Sequence, residues 1–159
     1  MSKTTIRQGL FETNSSTTHA FVWLSDEAYN KFVYEDYYLD LRTARGCIAE
    51  DGQDYSDHII AQQDIAPIVS KLREEAVKFD NIPQERAAII PENEILMYSG
   101  IIAACAERDR ENWLDFTGWD AERAPNSDGE TGWNVYADWC DFTQMWDFDG
   151  YEPGKRDYF

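Results

Sequence analysis

The chain contains few cysteine and histidine residues, and this scarcity excludes several kinds of site. Among its 159 residues are three cysteines and two histidines. The cysteines, Cys47, Cys105 and Cys140, lie far apart and form no C-x-x-C pair, which is typical of reduced thiols and not of a disulfide framework. No cysteine falls within metal-ligand spacing of a histidine. We therefore expect no bound metal and no cofactor.

A long apolar segment is also missing. No stretch approaches the roughly 18 apolar residues that mark a membrane-spanning helix. No apolar run of the secretory type follows the first basic residue. Together with the reduced thiols, these observations predict a cytoplasmic protein that makes no contact with a membrane.

Basic residues are the third scarcity. The sequence has 14 Lys and Arg residues against 31 Asp and Glu residues, a formal net charge of −17. Such a charge repels phosphate backbones, whereas affinity for nucleic acid comes mainly from Lys and Arg that neutralise phosphates. The composition excludes direct nucleic-acid binding and favours a basic partner protein. The simpler alternative is that the acidity only keeps the protein in solution.

The rest of the composition is that of a folded domain. Apolar residues make up 43% of the chain and aromatic residues 14%, which argues against disorder despite the high charge. The length fits one domain, and both strand and helix periodicities occur along it. We expect a single α+β domain over residues 1–159, with a small sheet packed against two or three helices.

Several segments carry clear secondary-structure patterns. Ser25 is a good helix N-cap, followed by Asp26 and Glu27 for the first turn. Pro67 removes a backbone donor, so we expect a kink or a break there, and Pro91 fits the first position of the longest predicted helix. The predicted elements are a strand at 19–24, a helix from Ser25 to about Val33, a strand from Asp36 to Arg42, a helical segment from Ser56 to Phe79, and a helix from Pro91 to about Trp113.

The most unusual part of the chain is an acidic, aromatic C-terminal segment, residues 124–154. It contains seven acidic residues and no Lys or Arg. We expect a loop over 118–132 with a turn cluster at 124–130. Beyond the loop, a helix would place four apolar side chains on one face, although a strand suits the residue types nearly as well. These side chains are Val135, Trp139, Phe142 and Trp146.

The acidic segment also suggests a function. Carboxylates over rigid aromatic side chains can occupy a groove built for nucleic acid, with tryptophans as anchors. Alternatively, the tryptophans form the core and the aspartates are their solvated neighbours. The predicted partner-binding residues are Asp128, Glu130, Asp138, Trp139, Asp141, Trp146, Asp147 and Asp149.

A second candidate site lies near the N-terminus, where polar side chains crowd together. A hydroxyl, a base and an orienting acid are the components of a nucleophilic site. Asn and Ser side chains also bond to nearby backbone groups and so form tight turns. We favour the turn, and a small enzyme built around three of these residues, Glu12, Ser16 and His19, is the alternative. The candidate residues of the motif are Glu12, Asn14, Ser15, Ser16 and His19.

The same stretch carries a resemblance. From Arg7 to Phe21 it reads RQGLFETNSSTTHAF, which resembles the N-terminal signature of a widespread group of small bacteriophage and prophage proteins, approximately R-x-G-x-F-E-T-N-S-S-S-x-H-S. The match covers about 15 of the 159 residues and departs from the pattern at Thr17 and Ala20. The resemblance implies a phage origin and no particular reaction.

Charge and resemblance together give a functional prediction. We expect an acidic phage accessory protein in the cytoplasm of the host cell. It would bind and inhibit a basic, nucleic-acid-handling host protein or nucleoprotein complex by charge mimicry of nucleic acid. A CRISPR or restriction complex is one example of such a target.

Overall fold

Both strands and helices occur along the part of the chain that the structure describes. The computed structural model describes residues 18–44, 52–79, 81–104 and 117–139. In these ranges the strands form two sheets. The elements are β1 (Thr18–Ser25), α1 (Asp26–Tyr34), β2 (Tyr38–Asp40), β3 (Gln53–Asp54), β4 (Ile59–Ile60), a 3-10 turn (Gln62–Asp64), α2 (Ile65–Phe79), α3 (Gln84–Ile89), α4 (Glu92–Ser99), β5 (Ile101–Ala103), β6 (Thr117–Arg123) and β7 (Gly132–Trp139).

The larger sheet has four strands in the order β3-β1-β7-β6. Strand β3 runs parallel to β1, and the other pairs are antiparallel. Alternate residues of a strand point to the same side, and three of them on β1, Ala20, Val22 and Leu24, join one buried cluster with Tyr29 and Phe32 of α1. Helix α1 therefore closes a first hydrophobic core against this sheet.

The smaller sheet has three antiparallel strands in the order β4-β2-β5. A second hydrophobic core forms where helices α2, α3 and α4 pack together with this sheet, and it includes Tyr38, Leu72, Ala87, Ile95 and Ile101. One sheet is thus covered by one helix and the other by three. The α+β class predicted from the sequence is confirmed, with the strands divided between two sheets.

The start of helix α1 is confirmed as predicted. The hydroxyl oxygen of Ser25 accepts a hydrogen bond from the backbone N–H of Ala28 at 3.2 Å, and Asp26 and Glu27 lie in the first turn. This bond satisfies one of the backbone donors that every helix leaves free at its beginning. The preceding strand and the helix agree with the prediction to within a residue at each end.

Helix α2 begins later than predicted. Ile59 and Ile60 form strand β4 instead of a first helical turn, and the helix begins at Ile65. Pro67 is the third residue of α2. Because the first backbone N–H groups of a helix have no intrahelical acceptor, proline is tolerated there. Of the two outcomes expected at Pro67, the break is therefore wrong, because α2 runs through this residue.

The long helix predicted from Pro91 to about Trp113 is also wrong. Helix α4 ends at Ser99, and Gly100 follows in the left-handed region with φ of 99°. Glycine adopts this conformation without strain and commonly ends helices in this way. The next residues, Ile101–Ala103, form strand β5, since a short apolar run fits a buried strand as well as a buried helix. The predicted helical residues from 105 onward lie outside the described residues.

Residues 117–139 form a β-hairpin. Its first strand, β6, occupies part of the predicted loop, and its second strand, β7, replaces the predicted helix. Val135 and Trp139 are four residues apart, a spacing that places side chains on one face of either a helix or a strand. The strand alternative is confirmed for 132–139, and the turn predicted at 124–130 joins the two strands. Phe142, Trp146 and the three cysteines lie outside the described residues.

Candidate functional site

The connection between β6 and β7 is an ordered turn built around Asn126. The side-chain oxygen of Asn126 accepts hydrogen bonds from the backbone N–H groups of Asp128 at 3.0 Å and Glu130 at 2.9 Å. Its backbone N–H donates to the carbonyl of Glu130 at 3.0 Å. Gly129 has φ of 83°, a conformation that glycine adopts without strain. The turn therefore holds Asp128 and Glu130 on a fixed backbone.

Three carboxylates of this hairpin form no ion pair with another described residue. Asp128 and Glu130 are exposed, and Asn126 Nδ2 donates to a carboxylate oxygen of Glu130 at 3.0 Å. On β6, a carboxylate oxygen of half-buried Glu122 accepts a hydrogen bond from the hydroxyl of Tyr136 at 3.2 Å. Within the described ranges, no Lys or Arg forms an ion pair with any of these three carboxylates. Their negative charge faces solvent uncompensated.

The one basic residue of the hairpin, Arg123, forms an ion pair with another part of the same chain. Arg123 pairs with both carboxylate oxygens of Asp26 at the start of α1, and Thr131 Oγ1 donates to the same carboxylate at 2.7 Å. The Arg123 guanidinium also lies 5.3 Å from the centre of the Trp133 ring. The bonds from Arg123 first, and then from Thr131, lower the pKa of Asp26. This contact, which we call the α1 clasp, fastens the hairpin to α1.

Aromatic side chains brace the hairpin on both sides of the sheet. On one side, Phe21 of β1 stacks on Tyr136 of β7 with ring centres 4.6 Å apart. On the other, Tyr29 stacks on Trp133 with ring centres 4.3 Å apart. Stacked rings of this kind contribute beyond the area that they bury. The acidic turn therefore projects from a stiff aromatic base.

Gly132, at the start of β7, is required by close packing. A Cβ atom at this position would overlap the indole ring of Trp23 and the carbonyl oxygen of Leu24. The indole N–H of Trp23 donates to the carbonyl of Ala124 at 2.9 Å. Glycine thus allows Trp23 to lie directly over the base of the turn and to anchor it.

The predicted partner-binding residues separate into three groups. Asp128 and Glu130 are exposed, as a contact surface requires. Asp138 and Trp139 are 1% and 0% exposed, so neither offers a side chain to a partner in this structure. The interpretation of Asp138 as a surface charge is therefore revised, and Trp139 belongs to the first core. Four further candidates lie outside the described residues: Asp141, Trp146, Asp147 and Asp149.

The N-terminal motif is described at one of its positions. His19 lies in β1, half-buried, and its register partner on β7 is Asp138. The other four candidates, Glu12, Asn14, Ser15 and Ser16, lie outside the described residues. Both interpretations of the motif, a side-chain-bonded turn and a nucleophilic site, therefore stay predictions.

The α1 clasp was not anticipated from the sequence. Asp26 was assigned only to the first turn of a helix, and its partner Arg123 is 97 residues away along the chain. A local pattern carries no information about such a contact. The isolated basic residue in an acidic hairpin is the one sequence feature that could have suggested an internal ion pair.

Two further observations concern metal binding and membrane-spanning helices. Within the described ranges, no group of three or more His, Cys, Asp or Glu side chains is arranged to hold a metal ion. Among the helices of those ranges, none has the length and apolar character needed to cross a membrane.

Fold and site together define an α+β protein that displays an acidic β-hairpin on an aromatic base. We found no match to this chain among protein-family models, curated proteins or solved structures. The functional argument therefore depends on the physical properties of the hairpin.

Proposed function

We propose that this chain is an acidic phage accessory protein that acts in the host cytoplasm. It binds and inhibits a basic, nucleic-acid-handling host protein or nucleoprotein complex by presenting carboxylates where phosphates would bind. The observation that carries the proposal is the set of hairpin carboxylates, Glu122, Asp128 and Glu130, which have no cationic partner in the described part of the chain. A basic groove would supply the missing cations.

The spacing of carboxylates along a strand supports this proposal in quantitative terms. Residues on one side of a strand repeat every ~6.7 Å, whereas one strand of DNA carries a phosphate about every 3.4 Å along its axis. Asp120 and Glu122 are two residues apart on β6 and so repeat at about twice the phosphate spacing. The hairpin can therefore occupy alternate phosphate positions of a basic groove.

The rigidity of the turn supports it as well. Binding loses free energy when loops and side chains must be ordered at the interface. The side-chain oxygen of Asn126 already holds the turn by accepting hydrogen bonds from two backbone N–H groups, and the α1 clasp holds the base of the hairpin. Little further ordering is needed on binding, so more of the electrostatic attraction appears as affinity.

The net charge extends the effect beyond direct contact. With a formal charge of −17, the chain produces a field that steers it toward positively charged surfaces. Such steering acts mainly on the association rate and weakens as salt is added. The proposal thus predicts fast association that depends on ionic strength.

Competition with nucleic acid is the test of this function. The partner is first captured from bacterial lysate with the full-length protein and identified by mass spectrometry. Added DNA or RNA should then displace the protein from that partner, because both ligands occupy the same basic groove. Simultaneous binding of the protein and the nucleic acid at saturating concentrations of both would contradict the proposal.

A further inference from the structure

A cleft between helices α2 and α3 has the size of a small-molecule site. Its volume is about 350 Å³, and such sites enclose roughly 300–1,000 Å³. Residues three or four positions apart share one face of a helix, which relates Arg73 to Val77 on α2, and Gln84 to Ala87 and Ala88 on α3. Both helices thus turn one face toward a shared space. The lining residues are Arg73, Glu74, Val77, Gln84, Ala87 and Ala88.

The apolar wall of this cleft is held by the second core. Ala87 is 2% exposed and belongs to that core, and half-buried Val77 packs against it. The backbone N–H of Ile82 donates to the carbonyl of Ala76 at 3.1 Å and so fastens the segment between the two helices to α2. An apolar group of a ligand therefore meets a wall that is already formed.

Arg73 is held against the far side of the cleft. Its Nη1 donates to the carbonyl of Ala87, in the last turn of α3, at 2.6 Å. No described carboxylate forms an ion pair with Arg73, although the chain has 31 acidic residues. A guanidinium carries several further N–H donors, and its planar fork binds a carboxylate through two parallel hydrogen bonds. Arg73 is thus suited to the carboxylate of a ligand.

Glu74 brings the opposite charge to the same cleft. Consecutive residues of a helix do not face each other, which explains why Glu74 and Arg73 line one cleft without forming an ion pair. No described Lys or Arg forms an ion pair with Glu74 either. The cleft therefore combines a positive group, a separate negative group and an apolar wall.

We propose that this cleft binds a free apolar α-amino acid, such as leucine or phenylalanine. The α-carboxylate accepts hydrogen bonds from Arg73, and the α-ammonium donates to Glu74. The apolar side chain lies against Val77, Ala87 and Ala88. This site goes beyond the proposed function and does not depend on it.

The charge of the ligand follows from the charge of the protein. A formal net charge of −17 repels a ligand that is a net anion, such as a fatty acid. An amine without a carboxylate would leave Arg73 without an acceptor for its fork. An amino acid has no net charge at neutral pH and provides a partner for each charged side chain of the cleft.

The first experiment titrates the full-length protein with phenylalanine and follows the methyl NMR signals of Val77, Ala87 and Ala88. Three analogues each lack one group: phenylpropionate lacks the ammonium, phenethylamine lacks the carboxylate, and glycine lacks the apolar side chain. We expect phenylalanine to shift the methyl signals and to bind at least about tenfold more tightly than each analogue. Unchanged methyl signals at millimolar phenylalanine and leucine would overturn the inference, and so would an analogue that binds as tightly as phenylalanine.

Variants then test the roles given to the side chains. Arg73→Gln should weaken the binding of phenylalanine about tenfold or more. Lys71→Gln removes the same charge from an exposed position of the same helix that does not line the cleft, and it should bind phenylalanine like the parent. Equal weakening in these two variants would contradict the contact between Arg73 and the carboxylate.

A third variant covers the loss of the internal bond that Arg73→Gln also causes. Ala88 is exposed, so Ala88→Leu should fold, which circular dichroism checks, while its larger side chain fills the cleft and should abolish binding. Binding by Ala88→Leu at the affinity of the parent would refute the site. The hairpin variant Asp128→Asn/Glu130→Gln should bind phenylalanine like the parent, so failure of this inference leaves the proposed function standing.

Discussion

The hairpin region, residues 117–139, and the helical layer, residues 65–99, differ in their balance of acidic and basic residues. The helical layer contains six acidic and four basic residues, whereas the hairpin region contains five acidic residues and one basic residue. That one basic residue, Arg123, is bound to Asp26 in the α1 clasp. Charge is nearly balanced where the helices pack, whereas Glu122, Asp128 and Glu130 of the hairpin form no ion pair with a described residue, which is why we propose a function there.

The two regions also differ in their cores. The first core, beneath the hairpin, contains buried aromatic side chains such as Phe32, Trp119 and Trp139. The second core, beneath the helices, is mainly aliphatic, with residues such as Leu72 and Ile95. Large rigid rings that interlock hold a small sheet in one geometry. The acidic surface of the hairpin therefore lies over the first core, which is the more aromatic of the two and so the more rigid.

Removing an aromatic side chain from the first core should have the largest effect. Trp119 is 1% exposed, packs 5.0 Å from Phe32 between ring centres, and donates its indole N–H to the carbonyl of Ala104 at 3.1 Å. We expect Trp119→Ala to lower the free energy of unfolding by about 3–5 kcal/mol, as measured by chemical denaturation. Phe79→Ala in the helical layer, at an exposed position, should stay within about 0.5 kcal/mol of the parent. Equal losses in the free energy of unfolding of the two variants would contradict this prediction.

Disruption of the turn should have an intermediate effect. Asn126→Ala removes the side-chain oxygen that accepts hydrogen bonds from two backbone N–H groups of the turn, and we expect a loss of about 1–2 kcal/mol in the free energy of unfolding. Ser127→Ala is the control, because Ser127 is exposed and neighbours the same turn. If Asn126→Ala unfolds at the same denaturant concentration as Ser127→Ala, the turn is not held as described.

The α1 clasp should give a smaller effect that depends on pH. The pKa of Asp26 is lowered by Arg123 and then by Thr131, so the folded state binds a proton there less readily than the unfolded state. The stabilisation is fully present above the unfolded pKa of about 3.9, and it is lost as pH falls through the lower pKa of the folded protein. Asp26→Asn should therefore be less stable than the parent at neutral pH.

Stability measured by denaturation across a pH series checks this prediction. The difference between Asp26→Asn and the parent should shrink toward zero in acid, and added salt should reduce it at neutral pH. Glu27→Gln is the control, since Glu27 lies in the same helical turn and, among the described residues, pairs with Lys31 at 3.9 Å. A difference that is the same at every pH would contradict the role given to the carboxylate of Asp26.

The sequence predicted those parts of the fold whose signals are local. The N-cap pattern is complete within three consecutive residues, Ser25, Asp26 and Glu27, and helix α1 begins there. The turn at 124–130 was predicted for the same reason, because Asn126 and Gly129 determine its backbone locally. Parts that depend on distant partners were missed: β6 pairs with β7, and only that pairing makes residues 117–123 a strand.

Ambiguous apolar runs account for the remaining differences. Ile101 and Ile102 fit a helix or a buried strand. They form a strand because they pair with Leu39 and Asp40 of β2. For the candidate site, composition indicated the acidic segment 124–154, but it could not distinguish exposed Asp128 from buried Asp138. That distinction depends on what covers each side chain in the folded protein, which no local pattern contains.

The central claim is that the uncompensated carboxylates Glu122, Asp128 and Glu130 of the hairpin attract the basic partner more strongly than the overall negative charge does. The most direct test compares the association rates of two variants that lose the same charge. Asp128→Asn/Glu130→Gln removes two exposed charges from the hairpin, and Glu74→Gln/Glu85→Gln removes two exposed charges from the helical layer. We predict that the hairpin variant associates more slowly with the captured partner and depends less on salt, while the helical-layer variant associates like the parent. Equal slowing of both variants, or of neither, would contradict the account.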